Sequence, residues 1–597
     1  MQLTVPNRTP PGKDAFDSRQ ASVRQWVEAL PLANVGETSR LLYQALEDLN
    51  RQDIPAQQRF RALEALHEPV RLVTEHMKKH FVGKPLPPDH RDLKIAHLSR
   101  AITLSLATGY KILVMEQIAG VGRRDRKLLM TSVHRAMRLL GLVLLKAFQV
   151  YESPPQGVWL EIHSLYRFAE GLRLHSQKIP DPLAADPQPT TIGNLYRQIL
   201  LLALACPYRM RQNEAEQVYL ALEKWARHCE LNRIEKRPEA LFVTNLDRDE
   251  GPAYLVLRNT GCNPDTMRTV ETQRLSEHIR KALAEPRASG LRTSTLRHLM
   301  LVWGVMPKRR YSRVRNHAQA VVTMGLSALH YFISGEVIFN QPEHARACPP
   351  DLVARQSAEK PRIQEAARFS ARNPAGDGAT PDVWEMNYRL EGETPPSDLE
   401  TAVARVAAGP VINTSFQTQR WKMVNVSAGG YCLLWDNLET TRAQVGELIG
   451  IREQNDPDSF HWRLGVIRWL KFAKKHGLEL GIQMLSPSAV AIAGRRDGRG
   501  HKNDDYTRGL LLPEIANIQQ HATLLLPSPP FRVGDSIVVN CYGRNVGAEL
   551  TRLVENTGSF AQFQFRALGE VDQPGRRKTG KDDDRNKSDF DDVWELL

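Results

Sequence analysis

The chain has 597 residues, of which 42% are hydrophobic and 25% are charged. This composition is ordinary for globular proteins, and it excludes a wholly disordered chain, a collagen-like repeat and a small disulfide-bonded scaffold. The length predicts three or more domains. Lysine and arginine number 80 against 67 aspartates and glutamates, which gives a net charge of +13. This excess fits either a well-solvated surface or an anionic partner such as nucleic acid, a nucleotide or an acidic membrane.

The six cysteines are far apart and include no Cys-x-x-Cys pair. Their placement argues against a zinc ribbon or a disulfide framework and favours a reducing compartment. Residues 1–16 contain no apolar core of a secretory signal. The most apolar stretch, at 139–150, contains Lys146 and follows Arg138, so we interpret it as a buried helix face rather than a membrane span. We therefore expect a cytoplasmic protein without membrane insertion.

The first third of the chain predicts helices. Residues 1–37 indicate a loose N-terminal arm, and from 38 to 235 apolar residues recur at the three- and four-residue spacing of a helix face. Thr38 or Ser39 is the candidate cap of the first helix. The prediction for 38–235 is about six to eight helices with short connections, which form an all-α bundle or a short solenoid.

The hydrophobic pattern changes near residue 236. A mixed α/β connector is predicted over 236–308, and its last part, 286–308, is the candidate hinge. From 309 to 495, short apolar segments bounded by turns predict an antiparallel barrel, and 330–335 is one of its predicted strands. A stretch rich in proline, glycine and charge, at about 340–400, indicates an insertion loop.

The C-terminal part repeats the barrel pattern and then loses it. Short strands over 510–572 predict a second small β-barrel, and 573–597 predict a disordered charged tail. Phe590, Val593, Trp594 and Leu597 within that tail have the spacing of one helix face, which makes it a candidate partner-binding segment. The predicted fold class is thus multidomain α + β, with a helical domain followed by two antiparallel β-barrels.

Two patterns that resemble metal or phosphate sites are rejected. GRRKTGKD at 575–582 has the spacing of a phosphate-binding loop, but Asp582 replaces the required serine or threonine and no strand precedes it. His76 and His80 have the spacing of helical metal ligands, but two lysines separate them and no third ligand is indicated. Since no catalytic motif stands out either, we predict a protein that is not an enzyme and has no metal or cofactor.

Two motifs carry the functional prediction. KRRYSRVR at 308–315 precedes a predicted strand, and NVSAGG at 425–430 forms a turn between two predicted strands. Arginine presents a rigid fork that fits phosphate oxygens and the O6/N7 edge of guanine. Asparagine can accept from guanine N–H groups, serine offers a hydroxyl to phosphate, and glycine lets backbone N–H groups approach an anion. The candidate ligand-binding residues are Arg309, Arg310, Arg313, Asn425, Ser427, Gly429 and Gly430.

Arg-x-x-x-Arg together with Asn-x-Ser-x-x-Gly resembles the signature of PilZ domains, the bacterial receptors of cyclic di-GMP. The likeness extends to the later strands at 446–449, 465–468 and 480–484. The resemblance implies a six-stranded β-barrel with cyclic di-GMP as its ligand. It also implies that the arginine segment folds over the ligand and that the Asn-x-Ser turn contacts it from the barrel. Arg309 precedes Asn425 by 116 residues, a longer separation than is usual in the family, and the predicted insertion accounts for it.

Three alternatives remain open. Arg368 and Arg372 have the same spacing as Arg309 and Arg313, but no predicted strand follows them, so the earlier pair is preferred. The second barrel lacks both motifs and is predicted to serve packing or partner binding. The predicted function is a cyclic di-GMP-binding effector that couples occupancy to an unidentified protein partner through its helical region or its tail. The alternative is a basic nucleic-acid-binding or scaffold protein whose degenerate barrel binds no ligand.

Overall fold

The computed structural model describes most of the chain up to residue 570 as two compact units. The first unit is Met1–Met306 with the short segments Leu438–Thr441 and Lys471–Gly477, and the second is the remainder of the described chain. The residues outside the description are 2, 120–124, 182–183, 186–187, 237–239, 258–262, 286–288, 305–310, 337–338, 340–415, 438, 454–461, 474–475, 498–504, 516–519, 542–543 and 571–597. Arg309, Arg310, the competing pair Arg368 and Arg372, the predicted insertion and the tail therefore lie outside it.

The first unit begins with a helical bundle that shares one hydrophobic core. Side-chain oxygens define where several helices begin, since Asn34 Oδ1 accepts from the backbone N–H of Glu37 at 3.1 Å and Asp125 Oδ1 accepts from that of Leu128 at 3.0 Å. The helices are Gln20–Glu28 (α1), Val35–Arg51 (α2), Ala56–Lys78 (α3), His90–Ala119 (α4), Arg126–Gln149 (α5), Val158–Gly171 (α6), Ile192–Leu204 (α7) and Gln212–Trp225 (α8).

Helix α5 contains the apolar stretch at 139–150. Of the helices that the structure describes, it is the one long and apolar enough to cross a membrane by length and composition alone. Its apolar side chains are nevertheless packed inside the bundle, and Leu140, Val143 and Leu144 have no exposed surface. The interpretation of this stretch as a buried helix face is confirmed.

The N-terminal prediction was wrong in two respects. Residues 1–37 are not a loose arm throughout, because α1 buries Val23 completely and the Trp26 ring packs edge-on against Phe16 at 5.1 Å. The first predicted helix begins at Val35, so neither Thr38 nor Ser39 is its cap. Both hydroxyls instead donate to backbone carbonyls, that of Thr38 to Pro31 ahead of the helix at 2.7 Å and that of Ser39 to Val35 in the first turn at 2.5 Å. Serine and threonine signal a helix start only when no better cap, here Asn34, precedes them.

A four-stranded antiparallel sheet and two helices complete the first unit. The sheet order is β3-β6-β4-β5, and the helical bundle shares its core with this sheet through side chains such as Phe242 and Val270. The candidate hinge is mostly a packed helix, because Leu296 and Leu299 are fully buried. The elements are the hairpin Lys178–Ile179 (β1) and Thr190–Thr191 (β2), then Glu230–Arg233 (β3), Phe242–Asn245 (β4), Ala253–Tyr254 (β5), Met267–Glu271 (β6), Gln273–Ala284 (α9) and Thr293–Gly304 (α10).

The second unit contains a middle barrel in which six antiparallel strands close in the order β8-β9-β10-β13-β12-β11. The short strand β7 pairs with β9 on the same side as β8 does. β7 and β8 therefore act as one strand with an interruption between them. The elements are Val314–Arg315 (β7), Gln319–Met324 (β8), Leu326–Ile333 (α11), Gln419–Ser427 (β9), Gly430–Trp435 (β10), Leu448–Glu453 (β11), Arg463–Ala473 (β12) and Gly477–Ser486 (β13).

A second closed barrel follows with the order β14-β15-β16-β19-β18-β17. Numbered within each barrel, both orders are 1-2-3-6-5-4, so the second barrel repeats the topology of the first. The strands are Val490–Arg496 (β14), Thr507–Leu512 (β15), Thr523–Leu526 (β16), Ser536–Cys541 (β17), Arg544–Asn556 (β18) and Ala561–Glu570 (β19). The predicted boundary at 495–510 was wrong, since β14 belongs to the second barrel. The segment 487–489, between β13 and β14, is too short to mark a domain boundary in the sequence.

The two barrels share a hydrophobic core that includes α11. The predicted strand at 330–335 is therefore wrong, because Leu326 and Leu329 form a helical face that packs against Leu510 and Leu525 of the second barrel. Polar contacts also join the barrels, among them the following two. His330 Nε2 lies 3.1 Å from the Ile492 carbonyl oxygen, and the Arg468 guanidinium pairs with the Glu555 carboxylate. The helical domain and the two antiparallel β-barrels of the predicted fold class are confirmed.

Candidate functional site

The Asn-x-Ser turn joins β9 to β10 and is fixed on both sides. Ser427 pairs with Gly430 across the turn, and the Ser427 hydroxyl donates to the Gly430 carbonyl at 3.2 Å. The backbone N–H of Met484 on β13 donates to the Gly429 carbonyl at 3.0 Å. The turn is therefore held to the neighbouring strand before any ligand arrives.

Close packing explains why both motif glycines lack a side chain. A Cβ atom at Gly430 would lie 1.9 Å from the Ile482 carbonyl oxygen, a distance too short for any side chain at this position. A Cβ atom at Gly429 would lie 2.8 Å from the ring of Tyr311, which covers the turn from the arginine segment. The second contact joins the two sequence motifs directly.

Strand pairing also brings the motifs together. β7 pairs antiparallel with β9, so that Val314 lies opposite Val426 and Arg315 lies opposite Asn425. The exposed Arg313 directly precedes this strand, and its guanidinium is near enough to lower the pKa of Cys432. Of the predicted site residues, Arg313, Asn425, Ser427, Gly429 and Gly430 thus lie in one region, whereas Arg309 and Arg310 lie outside the described residues.

The register defines a row of residues across four strands, which we call the polar row. Arg315 lies opposite Asn425, Asn425 opposite Cys432, and Cys432 opposite Gly481. Directly opposite residues of an antiparallel pair present their side chains on the same face. Because Leu433 is fully buried and follows Cys432, alternation places Leu433 in the barrel interior and the polar row on the outer face.

Cys432 forms a neutral centre in this row. Burial and, to a smaller extent, the neighbouring Glu479 carboxylate raise the pKa of its thiol to about 12, and Arg313 opposes both effects. The Sγ atom lies 3.2 Å from Glu479 Oε1, so the protonated thiol donates to that carboxylate. A thiol held in this form is a weak nucleophile, which fits a binding surface better than a catalytic one.

An aromatic ring closes the far end of the polar row. A Cβ atom at Gly481 would lie 1.8 Å from Nε1 of Trp469, so the indole rests directly on this glycine. Trp469 is half-buried, which leaves part of its indole open to solvent. Indole rings are able to stack on purine bases, and this one lies on the same sheet face as the polar row.

Sequence reasoning missed four residues that contribute to this region, namely Tyr311, Arg315, Trp469 and Glu479. Alternation on its own pointed to one of them, since Glu479 and Gly481 flank the buried Leu480 on the same strand. The contacts of Tyr311 and Trp469 depend on glycines that are distant in sequence, and no local pattern reports them. Among the residues that the structure describes, no group of three or more histidine, cysteine or acidic side chains could hold a metal ion.

Comparison with known proteins shows which family the chain matches. Residues 21–237 match the N-terminal domain of the cyclic-di-GMP receptor FimW, 241–490 match its middle PilZ domain, and 492–568 match its C-terminal β-barrel domain. The curated cyclic-di-GMP receptor FimW of Pseudomonas aeruginosa is 30% identical over an alignment that covers 100% of this chain and 99% of that protein. The chain belongs to the FimW family.

Family membership confirms the resemblance to PilZ domains that the two motifs indicated. It also agrees with the topology, because the C-terminal β-barrel match begins at 492, inside β14. The middle match begins at 241, within the four-stranded sheet of the first unit. The family's middle domain thus extends beyond the closed barrel that carries the motifs.

Proposed function

We propose that this chain is a cytoplasmic cyclic di-GMP-binding effector without catalytic activity. The observation that carries the proposal is the pairing of β7 with β9, which sets the arginine segment against the Asn-x-Ser turn. Two motifs that are far apart in sequence meet at one surface, as a shared ligand requires. The FimW receptor that this chain resembles along its whole length supports the same ligand.

The exposed charges of this surface suit a cyclic dinucleotide. Arg313 and Arg315 are both exposed, and neither forms an ion pair with any residue that the structure describes. Their guanidinium groups are available for the two phosphates and for guanine edges. Asn425 accepts from guanine N–H groups and Trp469 stacks on a base. Arg309 and Arg310 supply further donors when the lead-in segment covers the ligand.

The effector passes its occupancy to a protein partner, which binds the helical region or the C-terminal tail. A ligand shifts a conformational equilibrium by its difference in affinity for the two states. Simultaneous contacts of the ligand with the arginine segment and with the turn are such a difference, and the arginine segment directly follows the first unit in the chain. The nucleic-acid alternative is not favoured, because the relative that matches along the whole chain is a cyclic di-GMP receptor.

Binding of labelled cyclic di-GMP to the full chain, competed by unlabelled cyclic di-GMP or GTP, tests the proposal. Arg313→Ala removes at least two charge-assisted hydrogen bonds of about 1.5–3 kcal/mol each, so affinity falls at least tenfold while the ligand-free thermal midpoint stays constant. Arg368→Ala, which changes the competing motif, leaves binding unchanged.

Two outcomes would contradict this proposal. If Arg368→Ala abolished binding and Arg313→Ala did not, the ligand would bind the later arginine pair rather than the segment assigned here. Saturable binding of duplex DNA with steep salt dependence, and none of cyclic di-GMP, would instead support the nucleic-acid alternative.

A further inference from the structure

We infer that Arg315 reads the O6/N7 edge of a guanine and so determines base specificity; this inference rests on the proposed function. Arg315 lies outside the Arg-x-x-x-Arg pattern, which ends at Arg313. Nothing in the sequence separates it from the other basic residues of this segment. Its position opposite Asn425 gives it a separate role.

The backbone fixes where Arg315 stands. The Asn316 N–H donates to the Val424 carbonyl at 3.2 Å, and Asn316 Oδ1 accepts from the N–H of Ala318 at 2.8 Å. These bonds close the connection between β7 and β8 on one side of Arg315. On the other side, the Tyr311 ring covers Gly429. Arg315 is therefore held at the rim of the polar row, so little ordering is needed when a ligand binds.

The two side chains suit two adjacent edges of one guanine. Directly opposite residues have Cβ atoms about 4.5–5.5 Å apart and present their side chains on the same face, so both side chains extend from neighbouring points toward the same base. Asn425 accepts from the N1 and N2 hydrogens, and the Arg315 fork donates to O6 and N7. Adenine carries an amine in place of O6, so the same fork would face a donor. The pair thus favours guanine over adenine.

Arg315 is also free to make this contact. Its side chain is exposed, and no carboxylate among the described residues pairs with it. Arg420 offers a matched control, because it is an exposed arginine on β9 that lies opposite Val321, away from the turn. An arginine kept only to protect a sheet edge would affect stability or association and leave base selection unchanged.

The test is calorimetric titration of the full chain with cyclic di-GMP and with its 7-deazaguanine analogue, which lacks N7. The wild-type chain binds the analogue at least tenfold more weakly. Arg315→Ala binds cyclic di-GMP at least tenfold more weakly and no longer distinguishes the two ligands. Arg315→Lys behaves like Arg315→Ala because lysine lacks the fork, whereas Arg420→Ala matches the wild-type chain.

Failure of this inference is distinguishable from failure of the proposed function. If the wild-type chain binds cyclic di-GMP and Arg313→Ala loses binding, yet Arg315→Ala keeps full affinity or full discrimination against the analogue, this inference alone is overturned. Full rescue by Arg315→Lys would also overturn it, since charge alone would then suffice. If the wild-type chain binds no cyclic di-GMP, the proposed function itself fails.

Discussion

The two barrels share one topology, but they differ in the composition and exposure of one row of residues on the outer face. In the middle barrel the row is Arg315, Asn425, Cys432 and Gly481. In the second barrel the register of strands one, two, three and six aligns a corresponding row of Ala491, Leu510, Leu525 and Gln562. The first row opens toward solvent at Arg315, whereas the second is buried under α11 and the middle barrel.

This difference explains how one fold can serve two purposes in one chain. Leu510 and Leu525 have no exposed surface, and the Gln562 amide donates a hydrogen bond to the Thr523 hydroxyl at 2.9 Å. This row is buried and exposes almost no surface to a nucleotide. The second barrel therefore uses for packing the face that the middle barrel offers to a ligand. Closed barrels fix the direction of each side chain, and the residues on that face decide its use.

The ligand turn is also physically connected to the barrel interface. Gln483 lies opposite Gly430 on β13, and its Oε1 accepts from Arg468 Nε at 2.7 Å. The same guanidinium pairs with Glu555 of the second barrel in a largely buried ion pair. Gln483 thus links the strand beside the turn to the Arg468–Glu555 contact at the barrel interface.

The largest effect is expected where the apolar row is made polar. Leu525→Asp removes a buried leucine and introduces a carboxylate without a partner, which lowers the free energy of unfolding by about 4 kcal/mol or more. Leu568→Asp is the matched control, because Leu568 is 55% exposed in the same barrel. Denaturant unfolding measures both. Equal stability of Leu525→Asp and the wild-type chain would refute the packing role of this row.

Acid is expected to weaken the contact between the barrels. Burial, with a smaller contribution from Arg508, lowers the pKa of His330 from 6.5 to about 4. The unfolded chain binds a proton at His330 more readily than the folded chain does. The free energy of unfolding is therefore unaffected by this group above about pH 6.5, and it falls by up to about 3 kcal/mol as the pH drops toward 4. In His330→Gln the decline over this window is smaller. An unchanged pH profile of the variant, followed by thermal unfolding, would contradict the assignment.

A smaller effect is expected at the turn. In Gly430→Val the new side chain meets the Ile482 carbonyl, so β13 must shift and the free energy of unfolding falls by about 1–3 kcal/mol. Cyclic di-GMP binding is lost with it, whereas Ser427→Ala mainly lowers affinity. Thermal unfolding and ligand titration separate the two variants. A wild-type midpoint for Gly430→Val would show that the close approach at Gly430 is not required.

The sequence predicted the elements well and their contacts less well. Local patterns sufficed for the helices, for most strands and for the turn at Asn425, because apolar periodicity and glycine report local geometry. They failed for α11, where a segment of eight mostly apolar residues is short enough to fit a strand or a helix equally. They also failed for Arg315 and Trp469. The positions of those side chains near the turn depend on strand register and on glycines of distant strands. Both depend on closure of the barrel, which no local sequence pattern reports.

Hydrogen exchange of the full chain with and without cyclic di-GMP tests the comparison of the two barrels most directly. We expect slower exchange in peptides that cover 311–316 and 425–431, and no change in peptides that cover 507–512 and 523–526. Residues 425–431 join strands two and three of the middle barrel, and 507–512 and 523–526 are strands two and three of the second barrel, whereas 311–316 cover β7 ahead of strand one. Protection confined to the second barrel, or absent from both segments of the middle barrel at saturating ligand, would contradict this expectation.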